Sequence, residues 1–260
     1  MGQRKSLNEK RLTKKQVQDL IKSEGKLHDE YTKVFKETYV TGYVKQDLVY
    51  ELPNDRFLFV FDPNDTSLGG KGDIYPKDYF LKFVKWNKLV MDDYANNRGS
   101  SVDHWRFYSK HQSKLIDHVD KLILELADKL QIDIKQLDKS YKSLDIVSRQ
   151  TELHDIDKAI ADLYDNLVAY VGEVIRKKVN GQWKINSDFA GGDYPYIDIG
   201  LNNVQYMPIN IVWENLQELD PVDFRKAVGN EARQVGFKAN FEREHGHKIQ
   251  QLIGGKKSGK

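Results

Sequence analysis

Apolar residues recur at helical spacing in several long stretches of the chain, which predicts a substantially helical protein. The longest predicted helices cover residues 7–37, 77–93, 102–130 and 153–178. Two more are predicted at residues 208–219, opened by Pro208, and from residue 221 to about Gly236. Thr13 is a suitable N-cap for the first helix, and Gln16 three residues later completes a capping box.

Strand patterns lie in two places between these helices. In the first half, residues 38–51 are rich in Tyr and Val, and residues 56–61 form a continuous apolar run. The turn at 52–55 between them predicts a hairpin, and the glycine-rich segment 62–76 predicts a surface loop. In the second half, Gly181 is predicted to supply the left-handed cap of the preceding helix. Three short strands are predicted after it, at residues 182–186, 196–199 and 204–206.

These elements predict an α+β protein, with a helical C-terminal half packed on a small antiparallel sheet and a mixed α/β N-terminal half. The polar segment 95–101 is the best candidate for a linker between them. We therefore divide the chain into a mixed region, a helical region with a small sheet, and a basic helix with a disordered tail. These are residues 1–98, 99–220 and 221–260.

The chain contains no cysteine, which excludes disulfides, thiolate nucleophiles, iron–sulfur clusters and cysteine-type zinc sites. No apolar run approaches the ~18 residues needed to cross a bilayer, and the charged N-terminal stretch holds no secretory signal. We therefore expect a cytoplasmic protein that uses no cofactor. No dinucleotide fingerprint, catalytic triad order or paired-carboxylate signature stands out, so the sequence favours a non-enzymatic protein.

The net charge of +2 is unevenly distributed along the chain. Residues 1–15 carry a net charge of +5 and residues 225–260 carry +6, which leaves −9 for residues 16–224. Basic ends are typical of chains that touch nucleic acid, and also of ends that solubilise a domain or fold back on an acidic body. If nucleic acid is the partner, its contacts are expected from Arg4, Lys5, Lys10, Arg11, Lys256 and Lys257.

Gly172 is an unusual residue for its position. It lies late in a predicted helix, where glycine costs about 1 kcal/mol relative to alanine, so we expect another segment to approach its backbone closely. The strand that carries Trp183 is the candidate. Glu173 and Arg176 stand three residues apart next to this glycine and can pair on the helix surface.

Tyrosine and tryptophan residues cluster in the same part of the sequence. Most are expected in the core, with one or two at a partner site, because both residue types are favoured anchors in interfaces. Together with the charged pair on the preceding helix they form the predicted partner-binding set. Its members are Glu173, Arg176, Trp183, Tyr194, Tyr196 and Trp213.

Two patterns that suggest a metal site do not hold up. His104, His111 and His118 recur every seven residues, but neighbours in such a row lie about 10 Å apart along a helix, too far to share a metal. We therefore predict that they face solvent or cap helix ends. Residues 62–65 resemble the start of a calcium loop, but the ligands expected later in that loop are missing.

One set of motifs carries a resemblance to known proteins. It comprises SYKSLD at 140–145, YVGEVIR at 170–176, GQW at 181–183, YPYI at 194–197, and Pro208 with VW at 212–213. This set resembles a broad group of uncharacterised bacterial α+β proteins. In that group a helix ending in a Y-x-G-E stretch is followed by a small sheet, and the G-x-W motif connects the two. Some members are similar to immunity or accessory proteins of bacterial conflict systems. The resemblance covers roughly residues 115–216 and implies no catalytic residue.

The leading interpretation is a non-enzymatic factor that binds and occludes a protein partner, with an immunity or defence-associated role implied by the resemblance. Its acidic body would suit a basic partner surface through electrostatic steering. A nucleic-acid-associated accessory protein that uses the basic ends is the second interpretation, and an enzyme with an unrecognised site is the third. A membrane partner is not expected, and the oligomeric state stays open.

Overall fold

The computed structural model shows an α+β protein, which confirms the predicted fold class. It describes residues 10–36, 44–154, 156–187, 193–201, 204–217 and 220–254. The chain divides into two compact units between Gly99 and Ser100, within the predicted linker. Each unit contains one antiparallel sheet of its own, four-stranded in the first unit and three-stranded in the second.

The first unit surrounds its sheet with helices. Its strands, in their order across the sheet, are β1 (Lys26–Leu27), β2 (Leu48–Leu52), β3 (Arg56–Val60) and β4 (Gly72–Pro76). Its described helices are α1 (Lys14–Glu24), α2 (Asp29–Lys36) and α3 (Lys77–Ala95). The predicted capping box is confirmed, because Thr13 and Gln16 hydrogen-bond to each other's backbone N–H groups.

The predicted hairpin is also confirmed, whereas two other predictions in this unit are wrong. The hairpin turn holds Asn54 and Asp55 at positive φ, a conformation that Asn and Asp tolerate better than most other residues with side chains. The predicted helix 7–37 is interrupted because the chain becomes extended at Gly25 and enters β1. The predicted loop 62–76 ends in a strand, since β4 pairs along its whole length with β3.

The two faces of the sheet bury different side chains, which explains the continuous apolar run in β3. Phe57 and Phe59 point to the side of α2 and α3, where they meet aromatic rings of those helices. Leu58 and Val60 point to the other side and pack against Val17 of α1. Because both faces are covered, the residues of β3 from Phe57 to Val60 are all apolar and do not alternate with polar residues.

The second unit has more helices and a smaller sheet. Its α-helices are α4 (Ser101–Tyr108), α5 (Val119–Lys129), α6 (Leu144–Glu152), α7 (Ile156–Val179), α8 (Pro208–Gln217) and α9 (Phe224–Gly254). Two 3-10 helices lie between them, at Gln112–His118 and Ile134–Gln136. Its strands are β5 (Gln182–Asn186), β6 (Tyr194–Leu201) and β7 (Val204–Tyr206).

Helix α7 is the core element of this unit, because every side chain from 163 to 175 is buried. The predicted close approach to Gly172 is confirmed. A Cβ atom added there would lie 2.0 Å from Cη2 and 2.3 Å from Cζ2 of Trp183, a separation that no side chain can adopt. Because Gly172 has no side chain, the indole ring of Trp183 can pack directly against the helix backbone.

The end of α7 differs in detail from the prediction. Asn180, and not Gly181, adopts the left-handed conformation, with φ of 52°. Gly181 donates its N–H to the carbonyl of Arg176 at 3.0 Å. Its lack of a side chain serves packing instead, since an added Cβ would lie 2.5 Å from Ile197 on β6.

The predicted helix 102–130 is wrong, because a distant carboxylate breaks it. Asp165 of α7 accepts hydrogen bonds from the backbone N–H groups of Lys110 at 2.8 Å and His111 at 3.1 Å. These bonds hold a turn between α4 and the 3-10 helix. The prediction that the three histidines face solvent or cap helix ends is wrong for His104, which lies buried against Trp213 with ring centroids 3.8 Å apart.

The C-terminal helix is longer than predicted and belongs to the second unit. Helix α9 continues through Gly236 to Gly254, because no proline follows to end it. Its beginning is held in the unit by Ser148 of α6, which accepts the N–H of Phe224 at 2.9 Å. Disorder is predicted for residues 254–260; Gly254 is instead the last residue of α9, and residues 255–260 lie outside the described residues. In the described part of the chain, no helix combines the length and apolar character needed to cross a membrane.

Replacing Gly172 by alanine tests the packing at the centre of the second unit. The added methyl group overlaps the indole of Trp183, so we expect a loss of about 1–3 kcal/mol in the free energy of unfolding, measured by urea denaturation. Gly236→Ala is the matched control, because that helical position has open space around it and alanine is the better helix former. A Gly172→Ala protein as stable as the wild type would contradict this packing.

Candidate functional site

The predicted Glu173–Arg176 pair is present, but its carboxylate faces the interior. Glu173 is only 4% exposed. Its two oxygens accept hydrogen bonds from Arg176 at 2.6 and 2.9 Å and from the indole N–H of Trp183 at 2.8 Å. Lys139 lies 3.3 Å away on the other side. Glu173 is thus enclosed by its own chain, which leaves Arg176 as the accessible member of the pair.

The other members of the predicted partner-binding set are spread between the core and its edge. Tyr194 and Trp213 are buried, at 4% and 5% exposure. Trp183 and Tyr196 are half-buried on β5 and β6. The structure therefore brings Glu173, Arg176 and Trp183 together as a structural network, while Tyr196 lies half-buried on β6, the central strand of the sheet.

The basic N-terminal end is partly engaged by the body of the first unit. Arg11 forms a bidentate ion pair with Asp73, with N–O distances of 2.8–2.9 Å for the closest contacts, and its guanidinium lies 4.4 Å from the centre of the Phe61 ring. Lys10 is exposed. The remaining residues predicted for nucleic acid lie outside the described residues: Arg4, Lys5, Lys256 and Lys257.

Glu173→Gln tests whether the buried charge stabilises the second unit. Burial alone would raise the pKa of Glu173, but hydrogen bonds from Arg176 and Trp183 outweigh it and hold the pKa below its usual value. The ionised form therefore adds stability above the unfolded pKa, and this contribution is lost as the pH falls through the folded pKa. We expect the variant to lose about 1–3 kcal/mol at neutral pH.

The same variant should approach the wild type in stability on acidification. Urea denaturation at neutral pH and at about pH 3, below the ordinary range of glutamate, measures the change. Asp162→Asn is the control, since Asp162 is an exposed carboxylate on the same helix. An equal loss at both pH values would show that the charge is not the cause.

A cleft of about 520 Å³ in the first unit is a better candidate for a binding site. We call it the aromatic cleft. Its aromatic lining comprises Phe35, Phe59, Phe61, Phe83, Trp86 and Tyr94, and its charged lining comprises Lys45, Asp47, Asp62 and Asp65. Helix α3 supplies one wall, because Phe83, Trp86, Val90 and Tyr94 recur at helical spacing on one face.

The aromatic rings of the cleft form a buried floor and an accessible wall. Phe35, Phe59 and Phe83 are almost fully buried and pack edge to face or tilted against one another, with centroids 4.8–5.6 Å apart. Trp86 is half-buried, with its centroid 6.0 Å from that of Phe83. Tyr94 is 52% exposed. A ligand in the cleft would therefore contact the faces or edges of Trp86 and Tyr94.

The acidic residues of the cleft are held in place by backbone hydrogen bonds. Asp62 accepts the N–H groups of Gln46 and Asn64, both at 2.8 Å, and Asp47 accepts the N–H of Asp62 at 2.8 Å. Asp47 and Asp62 are buried. These bonds fix two carboxylates against an aromatic floor, an arrangement that favours cations near by.

Asp65 adds an accessible negative charge. It is exposed, and hydrogen bonds from the backbone N–H groups of Leu68 and Ser67 hold its pKa below the usual value. With one lysine against three aspartates, the charged lining has a formal charge of −2. The 62–65 segment noted for its partial likeness to a calcium loop contributes Asp62, Asn64 and Asp65 to the lining of this cleft. Among the described residues, no group of three or more His, Asp or Glu is arranged to hold a metal ion.

Comparison of the chain with protein-family models, curated proteins and solved structures found no match. The resemblance to bacterial immunity and accessory proteins therefore stays an expectation from the sequence.

Proposed function

We propose that the chain is a non-enzymatic binding protein that takes a basic side chain of a protein partner in the aromatic cleft. The observation that carries this proposal is the combination of aromatic walls with three aspartates in one cleft. A guanidinium or ammonium group near an aromatic ring gains about 0.5–2 kcal/mol, depending on its desolvation. Carboxylates alongside the rings add attraction of the same sign.

The charge distribution of the chain supports a basic partner. Residues 16–224 carry a net charge of −9, which would speed the approach of a positively charged surface. The chain itself shows that Phe61 accepts such a group, because the guanidinium of Arg11 already lies over its ring. A lysine or arginine from a partner would make the same kind of contact with Trp86 and Tyr94.

Occlusion of the partner follows from this mode of binding. A basic residue inserted into the cleft is withdrawn from any anionic substrate or surface that it would otherwise contact. An immunity or defence-associated role is one setting in which such withdrawal is useful, and its support is the sequence resemblance alone.

Binding of a defined small probe tests the cleft directly. We expect Nα-acetylarginine amide to shift the indole N–H resonance of Trp86 in a nuclear magnetic resonance titration. The citrulline analogue, which has nearly the same shape and no charge, should produce a much smaller shift. Trp86→Phe identifies the resonance, and the fully buried Trp105 provides an internal reference. Equal shifts with both probes, or none with either, would contradict recognition of a cation.

Capture of a whole protein partner tests the proposed binding function beyond the small probe. Wild-type protein should retain a discrete protein from lysate after nuclease treatment, and Trp86→Ala should weaken its retention about 2- to 30-fold. Asp65→Asn should also weaken it, because the change removes charge and keeps an acceptor for Ser67 and Leu68. Asp138→Asn is the matched control, since Asp138 is an exposed loop aspartate that accepts the N–H of Ser140.

Two results of the capture experiment would contradict the proposal. A partner retained equally well by wild type, Trp86→Ala and Asp65→Asn would place binding outside the cleft. If the retained material is lost after nuclease treatment, and if the amount retained decreases steeply as the salt concentration rises, the nucleic-acid interpretation would be favoured instead.

A further inference from the structure

Two histidine rings of the second unit lie side by side. A continuous helix would place His111 and His118 about 10 Å apart along its axis, too far to share a metal ion. In the structure α4 ends before His111, and the chain turns and continues as the 3-10 helix Gln112–His118. The centroids of the two imidazole rings are 5.0 Å apart, with an angle of 61° between the ring planes. The pair is therefore much closer than helical spacing predicts.

The separation of the two rings matches that of two imidazoles on one metal ion. Zinc–nitrogen bonds are about 2.0–2.1 Å long, and at tetrahedral angles the centres of two coordinated rings then lie about 5 Å apart. Imidazole nitrogens suit Zn²⁺, Ni²⁺ and Cu²⁺, whereas Mg²⁺ and Ca²⁺ prefer oxygen ligands. The distance therefore fits a transition-metal dication held between the rings.

Asp165 orients one of the two rings. Its Oδ2 lies 2.8 Å from Nδ1 of His111, and its side chain is only 7% exposed. A carboxylate in this position favours the tautomer with the proton on Nδ1, which leaves the lone pair of Nε2 available to a metal ion. The same oxygen accepts the backbone N–H groups of Lys110 and His111, so the ring and the turn are held together. Histidines that bind metals usually have such a partner behind them.

The nitrogens that would face the metal ion can be reached from solvent. The side chain of His111 is 27% exposed, and His118 is half-buried. Nε2 of His111 and the ring nitrogens of His118 form no hydrogen bond with the described residues, and none of them is shielded from solvent. His118 precedes α5 without capping it through its side chain. A metal ion can therefore reach both rings without breaking an existing hydrogen bond.

We propose that His111 and His118 form a two-histidine site for a transition-metal dication, with Asp165 as a positioning residue behind His111. Two protein ligands leave the remaining positions of the ion to water, and no third His, Asp or Glu joins them among the described residues. The bound ion would connect the turn after α4 to the start of α5 and so stabilise the 3-10 helix between them. The proposal does not rest on the function proposed for the aromatic cleft, since it concerns other residues in the other unit.

Calorimetric titration of the untagged full chain with zinc chloride tests this proposal. His245 and His247 also offer imidazoles close together in the sequence, so His245→Gln/His247→Gln is the background for every measurement. In this background we expect one equivalent of Zn²⁺ to bind, and His118→Gln to weaken the affinity at least about tenfold. His154→Gln is the matched control, since His154 is another half-buried histidine. Magnesium chloride should give no binding.

Nuclear magnetic resonance of the imidazole nitrogens locates the ion. Zinc should shift the resonances of His111 and His118 together and leave those of the buried His104 in place. Without zinc, the spectrum should show His111 protonated on Nδ1, and Asp165→Asn should give a mixture of tautomers together with about 10- to 100-fold weaker zinc binding. The change of tautomer distinguishes a positioning role from a general loss of structure.

Urea denaturation shows whether the variants are folded. Because a ligand that binds only the native state stabilises it, zinc should raise the urea midpoint of the background protein and leave that of His118→Gln unchanged. The two proteins should have equal midpoints without zinc, since the side chain of His118 makes no hydrogen bond with the described residues. Zinc affinity unchanged by His118→Gln, equal binding of magnesium, or no zinc binding in the background protein would each overturn the proposal.

Discussion

The second unit depends on the contact between a helical glycine and an indole ring. Gly172 leaves a gap in the buried face of α7, and Trp183 fills it. The same ring donates its N–H to Glu173, so the packing contact also orients the carboxylate that Arg176 pairs with. Strand β5 is thereby fixed on the helix, and the rest of the sheet follows by pairing. A buried charge without these partners would cost several kcal/mol, so the packing and the polar network require each other.

The parts of the fold that depend on neighbouring residues could be predicted from the sequence. The capping box at Thr13 and the hairpin before β3 have their determinants within a few positions. The break in the predicted helix 102–130 could not be predicted, because Asp165, more than fifty residues away, accepts the N–H groups at the break. The burial of His104 against Trp213 has the same origin, a partner far away along the chain.

The aromatic cleft shows the same division between local and distant determinants. The row on α3 that contains Trp86 and Tyr94 is visible in the sequence as helical spacing. Its junction with the aspartates of the 47–65 region is not visible, since it depends on how the strands pair. The charge pattern was informative in a different way. Arg11 bound to Asp73 shows that at least one residue of the basic N-terminal end folds back on the acidic body.

The junction at the end of α7 also bears on how the protein ages chemically. An asparagine followed by glycine is the sequence most prone to deamidation, in which the next backbone nitrogen attacks the side-chain carbonyl and a succinimide forms. Here Asn180 is exposed, but the nitrogen that would attack belongs to Gly181 and donates its hydrogen to Arg176. The left-handed turn that ends the helix therefore keeps the backbone nitrogen of Gly181 in a hydrogen bond, which disfavours its attack on the Asn180 side chain. Chemical damage at this site should accumulate in chains whose last helical turn has opened, and its rate would record how often that turn opens.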